Sequence, residues 1–149
     1  MRASATIIFF FVVSVAFTVG AVRSSVESQE AILTEGDFAA AMEEMDYVSG
    51  DAELHIDAKY WGDLGTDTDA MKALLEQVRT FWVAREVQGA IDFTEQALAA
   101  TAALSRASGT GDGGQADQAF SDLKATCRSC HREFRERTED GGYRIKPGG

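Results

Sequence analysis

The chain has 149 residues, with 14 Lys and Arg against 24 Asp and Glu, which gives a formal net charge of −10. This length suits one domain with its own core, and so acidic a chain lacks the basic surface that nucleic-acid binding requires. The single proline and the 45% hydrophobic content exclude a disordered chain. After residue 22, no alternating run of β-branched and polar residues predicts a strand, so an all-α fold is expected.

The N-terminal segment is organised as a secretory signal peptide. Met1 and Arg2 form a short positive start, an uncharged apolar run continues to Val22, and Val19-Gly20-Ala21 provides the small residues that a signal peptidase recognises. Residues 1–21 are therefore predicted to be cleaved during export to the periplasm. The alternative is a retained membrane anchor, because the apolar run approaches the ~20 residues that span a bilayer.

Four helical stretches with short breaks are predicted over residues 37–139. Apolar residues recur in them at three- and four-residue steps, which places these residues on one face of each helix. The predicted boundaries are a capping start at 34–37, an end of the first helix at Gly62 and Gly65, a capping start of the second at 66–69, a break at 86–89 and a glycine-rich loop at 109–114. This pattern predicts an antiparallel up-down four-helix bundle, preceded by a lead over 22–36 and followed by an extended tail over 140–149.

Charge is distributed unevenly along the chain. Residues 27–123 contain 20 acids and five bases, whereas residues 124–149 contain seven bases and four acids. One end of an acidic protein is thus locally cationic. The overall acidity favours a partner with a basic docking patch, through electrostatic steering rather than tight binding.

The run Cys127-Arg128-Ser129-Cys130-His131 has the Cys-x-x-Cys-His spacing of a c-type haem attachment site. In this chemistry the two thiols add to the haem vinyl groups and form two thioether bonds on adjacent helical turns. The histidine that follows is then held beneath the iron as an axial ligand. We therefore predict one covalently bound haem c, attached through Cys127 and Cys130, with its iron ligated by His131.

Three other interpretations of the cysteine pair remain open. The pair would form a disulfide in an exported chain, or act as a thiol oxidoreductase centre, although such a centre normally stands at a helix N-terminus in a βαβ setting. Zinc would need four ligands, and only His55 remains to join the cluster. The acids elsewhere show no catalytic arrangement, so an enzyme is not expected.

The run from Cys127 to Arg135 (Cys-x-x-Cys-His-x-x-Phe-Arg), on the last helix of an exported four-helix chain, resembles cytochrome c′ and its low-spin relatives. Phe81-Trp82 followed by Arg85 is also similar to short periplasmic cytochromes of this group. The resemblance covers residues 37–137, and the tail beyond Arg137 departs from the many members that end soon after the motif. It implies a haem protein that carries electrons or binds gases, and dimerisation through the first two helices is familiar in the family, so a homodimer is possible.

The resemblance also implies that a residue of the first helix faces the sixth coordination position of the iron. Low-spin electron carriers place a methionine there, whereas gas-binding cytochromes c′ place an apolar side chain and leave the iron five-coordinate. Met42 matches the family's usual position and is the predicted ligand, with Met45 one turn later as the reserve. A methionine on an apolar helix face is also an ordinary core residue. Electron transfer is the expected function, and capture of nitric oxide or carbon monoxide is the alternative.

Three arginines near the motif, Arg128, Arg132 and Arg135, suit the carboxylates of the haem propionates, because a guanidinium pairs with a carboxylate through two hydrogen bonds. Arg135 is the predicted propionate ligand, since it matches the basic position of the family motif; a solvated helix face is the alternative. His55 is expected on the surface, pointing away from the inner face of its helix. The expected partners are a redox protein or, for a five-coordinate iron, a small gas molecule; a membrane becomes a partner only if the signal segment is retained.

Overall fold

The computed structural model describes residues 34–147, which form four long helices and a small antiparallel hairpin. The elements are α1 (Glu35–Ala58), α2 (Trp61–Ala84), α3 (Gln88–Thr110), α4 (Gly113–Phe134), β1 (Arg135–Arg137) and β2 (Tyr143–Ile145). The predicted signal peptide at 1–21 lies outside the described residues, as does most of the lead at 22–36. Within the described part, no helix combines the length and the apolar content needed to cross a membrane.

Three short turns reverse the chain between successive helices, and each contains a residue in the left-handed backbone region. These residues are Lys59 (φ 59°), Glu86 (φ 57°) and Gly111 (φ 67°). α1 packs on α2, α2 on α3 and α3 on α4, whereas α1 and α4 approach each other at far fewer positions. The result is the expected antiparallel up-down four-helix bundle, and its loosest wall lies between α1 and α4.

The turn between α1 and α2 comes earlier than the sequence predicts. α1 ends at Ala58, where the left-handed Lys59 caps it, so the expectation that Gly62 and Gly65 end the first helix is wrong. Both glycines lie in the first turns of α2, and residues 66–69 lie inside this helix instead of capping it. A Cβ at Gly65 would lie 3.4 Å from Ser108 Oγ. The glycine therefore lies at the contact between α2 and α3 instead of ending a helix.

The C-terminal segment also differs from the expected helix and extended tail. α4 ends at Phe134 rather than at residue 139, and the chain turns back so that β1 and β2 pair antiparallel. The Lys146 N–H donates to the Phe134 carbonyl oxygen (2.9 Å), and the Lys146 ammonium donates to that of Arg132 (2.8 Å). The hairpin thereby supplies partners for carbonyl groups that the end of a helix leaves unpaired.

Two hydrophobic clusters fill the bundle. Cluster 1 occupies most of its length and includes the fully buried Leu64, Met71 and Leu104. Cluster 2 contains the buried Phe81 and Trp82 and lies at the end where α1 and α3 begin and α2 and α4 finish. Cys127 of α4 packs against cluster 1 and Phe134 of α4 against cluster 2. The Cys-x-x-Cys-His motif between them therefore lies where the two clusters meet.

Candidate haem site

The two cysteines of the motif are half-buried on α4 as free thiols. Burial is the main cause that raises the pKa of both. The pKa of Cys130 reaches about 11, because the neighbouring Cys127 and the Glu133 carboxylate add to the effect of burial. A catalytic thiol needs a lowered pKa so that it reacts as the thiolate. The structure therefore gives no support to the thiol oxidoreductase interpretation.

His131 follows the second cysteine and is also half-buried. Burial lowers its pKa, the Arg135 charge lowers it further, and the Asp46 carboxylate on α1 opposes both effects. A neutral imidazole is the form that binds a metal, because a ring nitrogen must offer its lone pair. The electrostatic influence of Asp46 on His131 also shows that this turn of α1 lies near the motif.

Met42 and Met45 lie on α1 within the turn that precedes Asp46. Met45 is buried in cluster 1, whereas Met42 is half-buried and packs against both clusters. Cys127 contacts cluster 1 from α4. Both candidates for the sixth ligand and the attachment cysteine thus pack in or against cluster 1, from α1 and α4, two neighbouring helices that approach each other at few positions.

An aromatic group fills the end of the bundle where α1 begins and α4 finishes. Ring centroids lie 4.3 Å apart for Phe38 and Phe81, 4.9 Å for Phe81 and Trp82, and 5.6 Å for Trp82 and Phe134. The Arg85 guanidinium lies 3.5 Å from the centroid of the Phe81 ring and donates to the Phe81 carbonyl oxygen. These large rings shield the end of the candidate site from water.

The buried indole Nε1 of Trp82 has no hydrogen-bond acceptor among the described residues. An unsatisfied buried donor costs about 1–3 kcal/mol, so an acceptor on a bound group would stabilise this end of the bundle. Haem brings carboxylates that accept hydrogen bonds, vinyl groups that react with thiols, and an iron that binds a neutral imidazole. The thiols of Cys127 and Cys130, the ring of His131 and the indole of Trp82 therefore fit a covalently bound haem.

His55 lies far from the motif in the chain and pairs with a residue of α2. Its Nδ1 is 2.6 Å from Asp67 Oδ2, and both side chains are half-buried. The expected surface histidine is therefore partly shielded, because Asp67 holds it against the bundle. Over residues 34–147, no three His, Cys, Asp or Glu side chains are arranged to hold a metal ion. The zinc interpretation, which needed His55, gains no support.

A cleft of about 360 Å³ opens beside His131, between the end of α4 and the hairpin. Arg128, Arg132 and Arg135, the three arginines identified in the sequence, all line it. Arg137 and Tyr143 of the hairpin line it as well and were not anticipated. A signal for the hairpin was present, because Gly141-Gly142 separates two short segments and a glycine turn in that position is typical of a hairpin.

Comparison with known proteins identifies the family. The family model for Cytochrome C′ matches residues 22–135. The chain belongs to the cytochrome c′ family. Its structure is similar to that of a cytochrome c′ described as having an unusual ligand-controlled dimer dissociation. The TM-score is 0.58 at 16% sequence identity, over 75% of this chain and 94% of that one, so this likeness establishes the shared fold. No curated protein gives a significant sequence match.

Membership of the cytochrome c′ family establishes the class of protein and its cofactor. The chain is a c-type cytochrome that carries one haem c, with its iron, attached covalently through two thioether bonds. Proteins of this family are electron carriers or gas-binding proteins. The choice between these two functions depends on the sixth coordination position of the iron.

Proposed function

We propose that this cytochrome is an exported electron carrier, with haem attached through Cys127 and Cys130, His131 as the proximal ligand and Met42 as the distal ligand. The observation that carries the proposal is the position of Met42. It is half-buried on α1, where it packs against both clusters, and Cys127 packs against one of them from α4. When bound, the haem iron supplies a one-electron ferric–ferrous couple.

Each of these residues has a separate task. Cys127 and Cys130 would tether the macrocycle to α4, and the neutral ring of His131 would supply a lone pair from the same helix. The thioether of Met42 would supply the other iron ligand from α1. A methionine ligand raises the reduction potential and keeps weak external ligands from the iron. The aromatic group around Phe81 keeps water out and maintains a low dielectric around the site.

We assign Arg135 to one haem propionate. Its guanidinium lies in the cleft beside His131, 4.1 Å from the centroid of the Tyr143 ring. This stacking limits the positions that the guanidinium can take, which favours a defined pair with a carboxylate. The Nε1 of Trp82 is a second donor available to the haem carboxylates.

The alternative function is the capture of nitric oxide or carbon monoxide by a five-coordinate iron. One observation on Met42 favours gas binding. Its contacts with both clusters are those of an ordinary core residue, so they do not require a bond to the iron. In that case Met42 fills space beside the haem and leaves the sixth position open to a gas molecule.

The visible spectrum of the haem-loaded protein, in the ferric and then the ferrous state, tests the choice. Electron transfer with methionine ligation predicts sharp low-spin ferrous bands, and Met42→Ala converts them to a high-spin spectrum. Met45→Ala is the matched control, because it removes a buried methionine one turn away and leaves the spin state unchanged. A high-spin spectrum of the unmodified protein, with direct binding of carbon monoxide, would instead establish the gas-binding function.

We also propose that residues 1–21 are removed on export and that the protein works in the periplasm. The family match begins at residue 22, directly after the predicted cleavage site. The intact mass of the protein from a periplasmic fraction should correspond to a chain that begins at Val22 with one haem added. A full-length chain in the membrane fraction would establish the retained anchor instead.

A homodimer through the outer face of α1 is the remaining proposal. Tyr47 and Leu54 are 63% and 65% exposed and lie seven residues apart on this helix, so they form an apolar stripe on its surface. The structurally similar cytochrome c′ is described as a dimer that dissociates under ligand control. Sedimentation should show a dimer that Leu54→Glu disrupts, and a monomer at all concentrations would contradict it.

A further inference from the structure

Four arginines surround the cleft beside His131 and form what we call the arginine face: Arg128, Arg132, Arg135 and Arg137. The first two are on α4 and the others on β1. All four side chains are exposed, so the cleft presents its charge to solvent instead of enclosing it. The arginine face therefore has the form of a contact surface and not of an enclosed ligand pocket.

The positive charge of this face is not neutralised within the described chain. Over residues 34–147, none of its four guanidiniums has a carboxylate oxygen within ion-pair distance. Glu136, which also lines the cleft, is bound to Arg144 at 2.7 Å. The carboxylate of Glu133 lies 3.7 Å from where a Gly89 Cβ would stand, which directs it toward α3.

Neutral groups hold three of these arginines, Arg132, Arg135 and Arg137, in place. Arg132 donates to Ser129 Oγ (3.1 Å) and Arg137 to the Tyr143 hydroxyl (3.3 Å). Hydrogen bonding from Arg137 is the main cause that lowers the pKa of the Tyr143 phenol. The guanidinium of Arg135 stacks on the same ring. Guanidiniums held by neutral partners keep their charge and need little ordering when a carboxylate binds.

The hairpin that completes this face is anchored firmly to the bundle. Ile145 packs against cluster 2, and Lys146 bonds through its N–H and its ammonium to carbonyl oxygens of α4. The family match ends at residue 135, so Arg137, Tyr143 and most of the hairpin lie beyond it. The hairpin therefore places cationic surface at the end of the bundle that holds the haem motif.

We propose that the arginine face is the docking surface for a redox partner protein that presents a patch of carboxylates. The inference rests on the proposed electron-carrier function and identifies the chemistry of its partner. Residues 27–123 have an excess of acids and residues 124–149 an excess of bases, so an approaching acidic protein is repelled by most of the molecule and attracted by this end. The partner is thereby oriented toward the helix that bears Cys127, Cys130 and His131. The arginine face therefore favours a partner with an acidic patch, whereas the net charge of the whole chain suggests a partner with a basic patch.

If Arg135 is occupied by a propionate, the other three arginines of the face remain available. The test therefore compares the triple variant Arg128→Gln/Arg132→Gln/Arg137→Gln with the control Lys72→Gln/Arg79→Gln/Arg106→Gln. The control removes the same charge from α2 and α3, so both proteins have the same net charge. Haem content and reversible reduction are confirmed first for each variant.

The probe is hexacyanoferrate(III), which takes one electron from the ferrous protein and becomes hexacyanoferrate(II). At low ionic strength, the arginine variant should be oxidised about threefold or more slowly than the control. The difference should vanish at about 0.2 M salt, where the Debye length is below ~10 Å. Poly-L-glutamate should slow oxidation of the unmodified protein at carboxylate concentrations where free glutamate has no effect, because a protein-like polyanion binds at several arginines together.

Two results would overturn the docking surface. Equal oxidation rates for the two triple variants would show that the face does not attract anions. Equal inhibition by free glutamate and poly-L-glutamate would show a site for small anions instead of a protein surface. Separately, a high-spin spectrum of the unmodified protein that stays the same in Met42→Ala would overturn the electron-carrier proposal. Failure of the docking surface and failure of the electron-carrier proposal are therefore distinguishable.

Discussion

The two ends of the bundle satisfy their polar groups in different ways. At the closed end, formed by the α1–α2 and α3–α4 turns, Ser108 Oγ donates to the Trp61 carbonyl oxygen (2.7 Å) and His55 pairs with Asp67 (2.6 Å). At the site end, which holds cluster 2, the motif and the hairpin, the N–H of Trp82 is buried without an acceptor among the described residues. The polar groups named at the closed end are thus paired within the chain. The site end instead has a buried donor that suits a bound haem and exposed arginines that suit an acidic partner.

Removal of both thiols at the site end should have the largest effect. Cys127→Ala/Cys130→Ala should abolish covalent haem, because the thioether bonds have no other sulfur in the motif. Ser129→Ala is the matched control, since this residue stands between the cysteines and, among residues 34–147, its side chain accepts a hydrogen bond only from Arg132. Haem that stays with the denatured chain is the measurement, and retention by the double variant would contradict the assigned attachment.

Replacement of the unpaired donor at the site end gives the next largest effect. If Trp82 Nε1 donates to a haem carboxylate, Trp82→Phe should lower the free energy of unfolding of the haem-loaded protein by about 1.5–3 kcal/mol, the usual worth of a hydrogen bond to a charged group. Denaturant unfolding of the haem-loaded protein, followed by circular dichroism, measures this change.

Thr101→Val is the control for the tryptophan variant. The Oγ1 of Thr101 is the other buried side-chain polar atom in the described chain without a partner, and it lies in α3. Its removal should be neutral or stabilising, because no bond is lost and a desolvation penalty disappears. If Trp82→Phe also causes no loss in the free energy of unfolding, the indole does not contact the haem. The contrast between the two ends of the bundle would then be weaker.

The bundle and the motif could be predicted because each depends on a local pattern. Helical periodicity and the turn at 109–114 predict four helices, and Cys127, Cys130 and His131 form a contiguous signature. The α1–α2 turn was misplaced because glycines usually end helices, whereas Gly65 lies inside α2 beside Ser108 of α3. This position depends on contact with Ser108, a residue far away in the sequence, so the residues around Gly65 carry no local signal of it.

The hairpin was missed although Gly141-Gly142 is a turn signal, because the segment before these glycines has no strand pattern. The sequence Arg135-Glu136-Arg137 has no apolar alternation, and the strands depend on tertiary contacts: Ile145 in cluster 2 and Lys146 on the carbonyls of α4. The cationic character of the C-terminal end was visible in the sequence. Its concentration around one cleft was not, because it requires the chain to turn back.

A strained substitution at the closed end should destabilise the bundle without a change at the haem. Gly111 has a φ of 67°, and a Cβ there would lie 3.3 Å from Trp61 Nε1. Gly111→Ala should lower the free energy of unfolding by about 1–2 kcal/mol. Gly109→Ala is the control, because this helical position has open space around it and alanine should stabilise α3 by up to about 1 kcal/mol. Visible spectra should be the same for both, and a change of spin state in Gly111→Ala would contradict the separation of the two ends.

The smallest effect is expected from the ion pair at the closed end, and it should depend on pH. The hydrogen bond with Asp67 is the largest cause that raises the pKa of His55 above 6.5, ahead of the opposing effect of burial, and the charges of Asp63 and Asp51 also raise it. The stabilisation that accompanies this raised pKa is fully present below pH 6.5. It is lost as the pH rises through the pKa of His55 in the folded protein. Asp67→Asn should therefore lower the melting temperature more at pH 5.5 than at pH 8.

The magnitude of this effect is limited because the His55 side chain is 28% exposed, so water screens the pair and its worth stays below about 1 kcal/mol. Asp63→Asn is the matched control, since it removes a more weakly acting charge near the same histidine and should give a smaller change of the same sign. An NMR titration of His55 should show its pKa falling most in Asp67→Asn. Because the pair lies away from the motif, the reduction potential should not follow this titration. A potential that shifts with the protonation of His55 would show that the two ends are coupled.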